Sequence, residues 1–426
     1  MLTVALKVPP LTLFVLLSVA PLTAQVAPLT GLSSTPGLED RCAVRIVDTD
    51  TLEIGNDPFY VDPHVAESDS GGRILLLGRV IHRYDLGPAR PPSKVSTRSL
   101  LGAVVLPDSR AAVVNAPVAG PRFDGIRAVA LPGGRWGIVF AELRSPLDVP
   151  FDTASALWYG EYDGHRWSGV ERLPMPDPVI DLHMASNLVL SEGGMTWVVK
   201  TSTQRPSIAI LRRTGGRWTS DRVFTPAAYV QPTLSRGGRV DLAVVQGDST
   251  LQTDWNSLIL RAAPSWSVVR VLQAGAQEPV YSLDRQRIEG MEILSWATPR
   301  SREEWTVRAR IGFADDVHGT TITLDTSAII RLHRPVPILV DGAGPTWILP
   351  HNAPSGSREL GFVAVGSTGK PRTLGKIENS FLIPPIAVRV PGGAILSGPI
   401  APGRRYVASL LVRVAARCEN VRAPAP

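Results

Sequence analysis

Glycine pairs followed by an apolar run recur along this chain: GGRILLLG from Gly71, GGRWGIVF from Gly133, GGMTWVV from Gly193, GGRVDLAVV from Gly237 and GGAILSG from Gly392. Two variants fill the interval before the last of them, Gly290 ahead of MEILSW and Gly342-Ala343-Gly344 ahead of PTWIL. A tight two-residue hairpin asks for positive φ at its centre, which glycine adopts without a Cβ penalty. Each landmark therefore predicts a turn between two strands. The seven landmarks stand roughly 44 to 62 residues apart, the period of four-stranded propeller blades.

The rest of each unit reads the same way. Short apolar segments such as Val129-Ala130-Leu131 and Leu188-Val189-Leu190 precede the landmarks as innermost strands. A third strand is expected at SLLGAVVL from Ser99, SALWYGEY from Ser155, SIAILRR from Ser207, NSLILRA from Asn256, EWTVRARIG from Glu304, ELGFVAVG from Glu359 and YVASLLVRV from Tyr406. Their β-branched and aromatic residues suit strands, and no helical period is sustained after the N-terminal segment. Tryptophan often introduces the fourth strand, as in DGHRWSGVERL, TGGRWTSDRVF and APSWSVVRVL. The fold expected is an all-β propeller of seven four-stranded blades, with six blades or two stacked sandwiches as the alternatives.

The two ends belong together in this reading. The last unit runs out of chain after its third strand, and AVRI, just after Cys42, is strand-like with no unit of its own. The N-terminal strand then pairs with the C-terminal blade and closes the ring, and Cys42 and Cys418 stand where other blades have a hairpin. A disulfide between them is permitted in an oxidising compartment, the alternative being two free buried thiols. By the chain-entropy argument such a long loop gives roughly 5 to 6 kcal/mol as an upper bound.

Residues 1–24 read as a secretory signal. Met1 to Lys7 is a short basic region, Leu11 to Ala20 an apolar run, and Leu22-Thr23-Ala24 a cleavage site. Retention as a membrane anchor is the other reading. Residues 25–41 form a flexible linker, 42–418 the propeller and 419–426 a tail. The expected location is secreted, periplasmic or cell envelope. No later segment has the ~18 uninterrupted apolar residues of a membrane helix. The net charge of +6 is spread along the chain, whereas a nucleic-acid interface would cluster its cations on one element. No nucleic-acid partner is expected, and the oligomeric state is open.

In a propeller the strand 1–2 and 3–4 turns share one face, and the strand 2–3 and blade-to-blade connections share the other. Here the first set is glycine-rich and tight, while the second holds long polar stretches such as RYDLGPARPPSKVSTR from Arg83 and QGDSTLQTDWN from Gln246. Loops on a rigid scaffold carry binding residues, so the long-loop face is the candidate site. Trp255 is its best aromatic, since an exposed indole stacks on sugars or anchors a partner. At the channel mouth the similar tripeptides Asp62-Pro63-His64 and Asp181-Leu182-His183 join Asp124, Arg127, Tyr229, Gln231, Glu278, Tyr281, His333 and Arg334. Imidazole with carboxylate can serve acid/base chemistry or a cation, but the spacing fits a hydrogen-bonded channel lining better, and neither metal nor cofactor is expected. Asp48-Thr49-Asp50 and Asn56-Asp57 lack the ligand spacing of an EF-hand and read as turns.

At two strand 3–4 turns, YDGHRWS from Tyr162 and RTGGRWTS from Arg213, the sequence resembles the Asp-box turns of sialidase-like propellers, whose pattern is S-x-D-x-G-x-x-W. Asp163 stands four positions before Trp167 rather than five, Thr214 replaces the acid of the second turn, and the leading serine is missing from both. The family's Phe-Arg-Ile-Pro motif is also missing, and its members have six blades. The resemblance implies fold rather than activity, because the box is a structural turn. Its catalytic set would correspond here to Glu278 with Tyr281, Arg127, Arg334 and Asp62. Three functions follow: a recognition module for a glycan or protein, a glycoside hydrolase or lyase working through channel-mouth carboxylates, or a structural envelope protein.

Overall fold

A computed structural model describes residues 41–419 except 52, 55–56, 59, 69–71, 82–99, 107–109, 119–122, 144–153, 176–178, 180–185, 202–206, 224–226, 248–256, 274–278, 281, 289, 302–303, 314–315, 317–320, 329–335, 341–342, 353–357, 366–368, 380, 382–384, 391–392 and 401–407. The leader read in residues 1–24 and the linker read in 25–41, apart from Arg41, lie outside that range. So does the tail beyond Glu419.

The described residues contain seven four-stranded antiparallel sheets, the blades of a β-propeller. In blades 1 to 6 the four strands follow one another in sequence. They are Tyr60–Ser68, Ile74–Ile81, Leu100–Leu106 and Arg110–Asn115 in blade 1, and Phe123–Leu131, Arg135–Leu143, Ala154–Tyr162 and Trp167–Arg172 in blade 2. Blade 3 comprises Val189–Ser191, Gly194–Thr201, Ser207–Thr214 and Arg217–Val223, and blade 4 Ala227–Leu234, Val240–Gln246, Ser257–Ala262 and Ser267–Gln273. Ser282–Ile288, Met291–Pro299, Trp305–Ile311 and Thr321–Ala328 make blade 5, and Val336–Val340, Gly344–Asn352, Arg358–Val365 and Pro371–Glu378 make blade 6. Blade 7 takes Ile386–Val390, Gly393–Ile400 and Ala408–Glu419 from the C-terminal end and Arg41–Thr51 from the N-terminal end.

The register of that last pairing sets Cys42 opposite Cys418. Asp48-Thr49-Asp50 is not a turn but part of this strand. Asp48 and Thr49 are exposed there. Asp57 opens one arm of a two-residue ladder with Glu53–Ile54.

The glycine pairs act in two ways. Gly133 and Gly134 both have positive φ, in a three-residue loop from Pro132 to Gly134 between the paired Leu131 and Arg135. Gly194 and Gly393 begin second strands at points where a Cβ would lie 1.7 Å from the Arg213 carbonyl oxygen and 1.8 Å from that of Val414. There the missing side chain lets the third strand close in.

The apolar core lies between blades. Leu75 and Leu77 of blade 1 pack with Phe123, Ile126, Trp136 and Phe140 of blade 2. Equivalent clusters join blades 2 and 3 around Trp197, blades 4 and 5 around Trp296, and blades 5 and 6 around Trp347. Each of these four tryptophans is fully buried on a second strand. Blades 3 and 4 meet through Ile208, Ile210, Leu242 and Trp266, and blades 6 and 7 through Phe362, Phe381 and Leu396. A smaller cluster joins Ile74 and Leu76 of blade 1 to Val388 and Ile395 of blade 7. Burying large aromatic area between repeats makes neighbouring blades mutually dependent.

Arginines reinforce these joints on the tight-turn face. Arg73 of blade 1 donates to the carbonyls of Gly134 and Asp163 in blade 2 and lies 5.0 Å over the Trp136 ring. Arg213 of blade 3 reaches Glu171 of blade 2 at 3.2 Å and stacks 4.6 Å over Tyr159. Arg236 of blade 4 meets Asp316 of blade 5 at 2.5 Å; burial pushes the Asp316 carboxyl up, but Arg236, the Phe313 N–H and Arg310 together hold it below its ordinary range. A planar fork that pairs and stacks at once explains arginine at these sites rather than lysine.

Candidate functional site

Each innermost strand runs from the long-connection face toward its glycine turn, so residues early in the strand stand at the channel mouth and later ones nearer the tight-turn face. In blades 4 and 5 these strands, and in blade 3 the residue Asn187 just before its innermost strand, carry polar groups that bond one another. The Asn187 backbone N–H donates to Gln231 Oε1 at 3.0 Å, and Gln231 Nε2 donates to the Leu283 carbonyl at 3.1 Å. Asn187 Nδ2 donates to Asp284 Oδ1 at 3.0 Å and to the Arg285 carbonyl at 2.6 Å. Three blades are thus tied directly at their inner edges.

A second hub sits beside it. Glu292, at the start of the second strand of blade 5, accepts Arg285 Nε at 2.8 Å and its terminal nitrogen at 2.5 Å. It also accepts the Leu234 N–H of blade 4 at 3.3 Å. Arg285 and Glu292 are both buried. The pair meets in the two-point geometry that a buried guanidinium and carboxylate need if attraction is to offset desolvation.

In blade 2, Asp124 and Arg127 are buried at 1% and 8% exposure. The Gly125 N–H donates to Asp124 Oδ1 at 2.7 Å, and Arg127 donates to the Ile126 carbonyl at 2.7 Å. A bulge separates the two residues. The innermost strand of blade 1 has a similar irregularity between Pro63 and Val65, where His64 sits, and that of blade 4 between Ala227 and Val230, beside Tyr229. Bulges of this kind re-aim side chains and recur near functional sites. Asp62 and His64 are placed on their strand, while their side chains lie outside the described residues. Asp181, His183, Trp255, Glu278, Tyr281, His333 and Arg334 lie outside them altogether.

The structure adds two groups that sequence reading missed. Tyr159 donates to Glu161 Oε1 at 3.0 Å, with Arg213 3.6 Å from the same oxygen and Arg135 2.5 Å from Oε2. This tyrosine–glutamate pair sits between blades 2 and 3 on the tight-turn face, and burial followed by the Glu161 charge drives the phenol pKa upward. A phenol so placed is a structural donor, not a nucleophile. On the long-loop face, His351 ends the second strand of blade 6 with Nε2 3.9 Å from Asp325 Oδ2 of blade 5. Gly361 leaves the space its ring occupies.

At the first box-like turn, Asp163 Oδ1 accepts the N–H groups of His165 at 2.8 Å and Arg166 at 2.9 Å. Trp167 then packs 5.2 Å from Tyr162 and 6.2 Å from Phe140. The carboxylate closes the turn and the indole pins it to the sheet, which is a structural role.

No protein-family model matches the sequence, and no curated protein matches it significantly. Solved structures do align along most of the chain. A protein of unknown function from Dyadobacter fermentans DSM 18053 is 13% identical over 88% of this chain and 99% of its own, with a TM-score of 0.47. Kuenenia stuttgartiensis hydrazine synthase is 12% identical over 81% and 94%, with a TM-score of 0.48. Polysaccharide lyase Uly1 is 9% identical over 85% and 92%, with a TM-score of 0.46. Among the described residues no helix is long and apolar enough to cross a membrane.

Proposed function

We propose that this protein is an exported recognition module that binds a glycan or a protein partner on its long-loop face. The observation that carries the reading is the mutual saturation of the inner strands of blades 3 to 5. Asn187, Gln231 and Asp284 direct their hydrogen bonds at one another and at backbone carbonyls, and Arg285 and Glu292 satisfy each other. Groups held this way stiffen the hub and are not presented to a substrate. In each blade the second strand ends, and the third begins, at the edge away from the turn between the first two strands. A rigid wheel displaying long polar loops on one side is a binding architecture.

Trp255 lies in the connection between the second and third strands of blade 4 and is the aromatic we assign to the contact. Asp254 and Asn256 flank it in sequence and bring hydrogen-bonding groups, a combination that suits sugar recognition. The N-terminal basic and apolar segments direct the chain out of the cytoplasm in this reading.

Purified protein applied to a glycan array, and in parallel to envelope extracts by cross-linking, tests the proposal. Binding that Trp255→Ala abolishes while thermal unfolding stays unchanged is the expected result. Turnover of a polysaccharide that Glu278→Gln eliminates would replace the proposal with the hydrolase or lyase alternative.

A further inference from the structure

The strand that completes blade 7 is held unlike the outer strands of the other blades. Arg41–Thr51 follows Ala408–Glu419 along an antiparallel ladder with an irregularity at Val47. Among its described side chains only Val44 is partly buried, against the core shared by blades 6 and 7, where Gly375 leaves it room. Arg45 to Thr49 are exposed, and Ile46 and Val47 keep 44% and 53% of their surface. Backbone pairing and, among the described side chains of the strand, one valine are what hold it to the blade. Every other outer strand follows its neighbour closely in sequence, the longest interval running from Ile311 to Thr321, which keeps it at high effective concentration. This strand is tethered only through the whole length of the propeller, so its pairing carries a larger closure entropy.

The register places Cys42 directly opposite Cys418, next to the end of that ladder. Directly opposed residues of an antiparallel pair have Cβ atoms about 4.5–5.5 Å apart. A disulfide closes at roughly 3.5–4.5 Å, within the give of a strand end. The chain has 2 cysteines, and these are both of them. We propose that Cys42 and Cys418 form a disulfide that clasps the N-terminal strand to the last blade.

The chemistry balances with a small disulfide such as glutathione disulfide as oxidant. One cysteine thiolate attacks it, forming a mixed disulfide and releasing one glutathione thiolate. The second cysteine thiolate then attacks the protein sulfur of that mixed disulfide and releases the other glutathione. The two protein sulfurs are oxidised by two electrons in all, and their two protons pass to the glutathione thiolates. In an exported protein the bond is stable; a reducing environment unlocks the strand and leaves the edge of Ala408–Glu419 without its partner.

The test is peptide mapping of the full chain equilibrated in oxidised glutathione and alkylated under denaturing conditions, followed by hydrogen exchange with and without reductant. A cross-linked peptide containing Cys42 and Cys418, together with at least about tenfold faster exchange of the Arg41–Thr51 amides after reduction, is expected. Alkylation of both thiols in the oxidised sample overturns the proposal, as does a bond between two chains. Exchange that reduction leaves unchanged overturns the clasp even if the cross-link is found.

Discussion

The second glycine of each landmark pair offers the sharpest test of how the repeats build blades, because blades 3 and 7 separate two physical demands. Gly194 combines φ +124 with a would-be Cβ 1.7 Å from the Arg213 carbonyl oxygen and 2.9 Å from its carbon. Gly393 makes the same approach, 1.8 Å from the Val414 oxygen and 2.9 Å from its carbon, without a positive φ. Gly193, next door in blade 3, meets nothing closer than Ser191 Oγ at 3.8 Å. An alanine at 194 must therefore move the end of the third strand and also hold an unfavourable backbone. Overpacking costs about 1–3 kcal/mol and the dihedral about 1–3 kcal/mol more, so Gly194→Ala should destabilise by roughly 2–6 kcal/mol. Gly393→Ala carries the steric part alone, about 1–3 kcal/mol. Gly193→Ala should be neutral or stabilising by up to about 1 kcal/mol, through a less flexible unfolded chain. Denaturant titration read by tryptophan fluorescence reports these changes, with Trp197 buried three residues beyond the mutated site. The argument fails if Gly194→Ala unfolds at the same midpoint as Gly193→Ala. If Gly393→Ala is harmless while Gly194→Ala is not, the dihedral and not the close approach governs the landmark.

Three further outcomes follow from the hub, the long-loop face and the box-like turn. Asn187→Ala removes the donor to Asp284 and should cost about 1–3 kcal/mol, while Asn187→Asp sets two carboxylates together and should destabilise more at pH 7 than at pH 4, both measurable by thermal denaturation. His351 has its proton affinity lowered below the ordinary 6.5 first by burial, with Asp325 and Glu359 opposing and Lys376 reinforcing the shift. The unfolded chain thus binds the proton more tightly, so stability is full above 6.5 and falls as the pH drops below it. His351→Gln should flatten that slope between pH 7 and 5, and an unchanged slope would refute the assignment. The Asp163 carboxyl is held below its ordinary value by the N–H groups of Arg166 and His165; its contribution is present above about pH 4 and lost as the pH falls through the lower folded value. Because the side chain is partly exposed, Asp163→Ala should cost no more than about 1 kcal/mol at pH 7, with slower hydrogen exchange at Arg166 in the parent protein.

The blade plan was legible because turns and strand ends are local. Glycine pairs mark the first hairpins, and third strands begin within two residues of the positions expected, as with Ser207 in blade 3 and Leu100 in blade 1 against Ser99. The partnership of the chain ends was legible for another reason. A final unit short of one strand and an unclaimed strand at the other end leave a single arrangement that satisfies both edges, and the ladder between Arg41–Thr51 and Ala408–Glu419 is that arrangement. The arginine joints were harder to read, since Arg73 gives no local sign that it reaches the Asp163 carbonyl.

The hub was illegible on physical grounds. Asp284-Arg285-Gln286-Arg287 has the composition of a solvated edge, yet Asp284 and Arg285 are both buried although their side chains leave opposite faces of the strand. Near the axis of a propeller both faces of an innermost strand meet neighbouring blades, so the alternation that marks a half-exposed strand disappears. Charge survives there where a partner reaches it, Glu292 from the next strand of the same blade for Arg285 and Asn187 from blade 3 for Asp284. A buried polar residue on such a strand is then better evidence of a joint between blades than of a ligand site. Asp124 and Arg127 are likewise buried, at a bulge where Asp124 accepts the Gly125 N–H and Arg127 donates to the Ile126 carbonyl. Burial at the hub therefore weighs toward a structural role for these channel-side groups, and the binding proposal rests on the loop sequences.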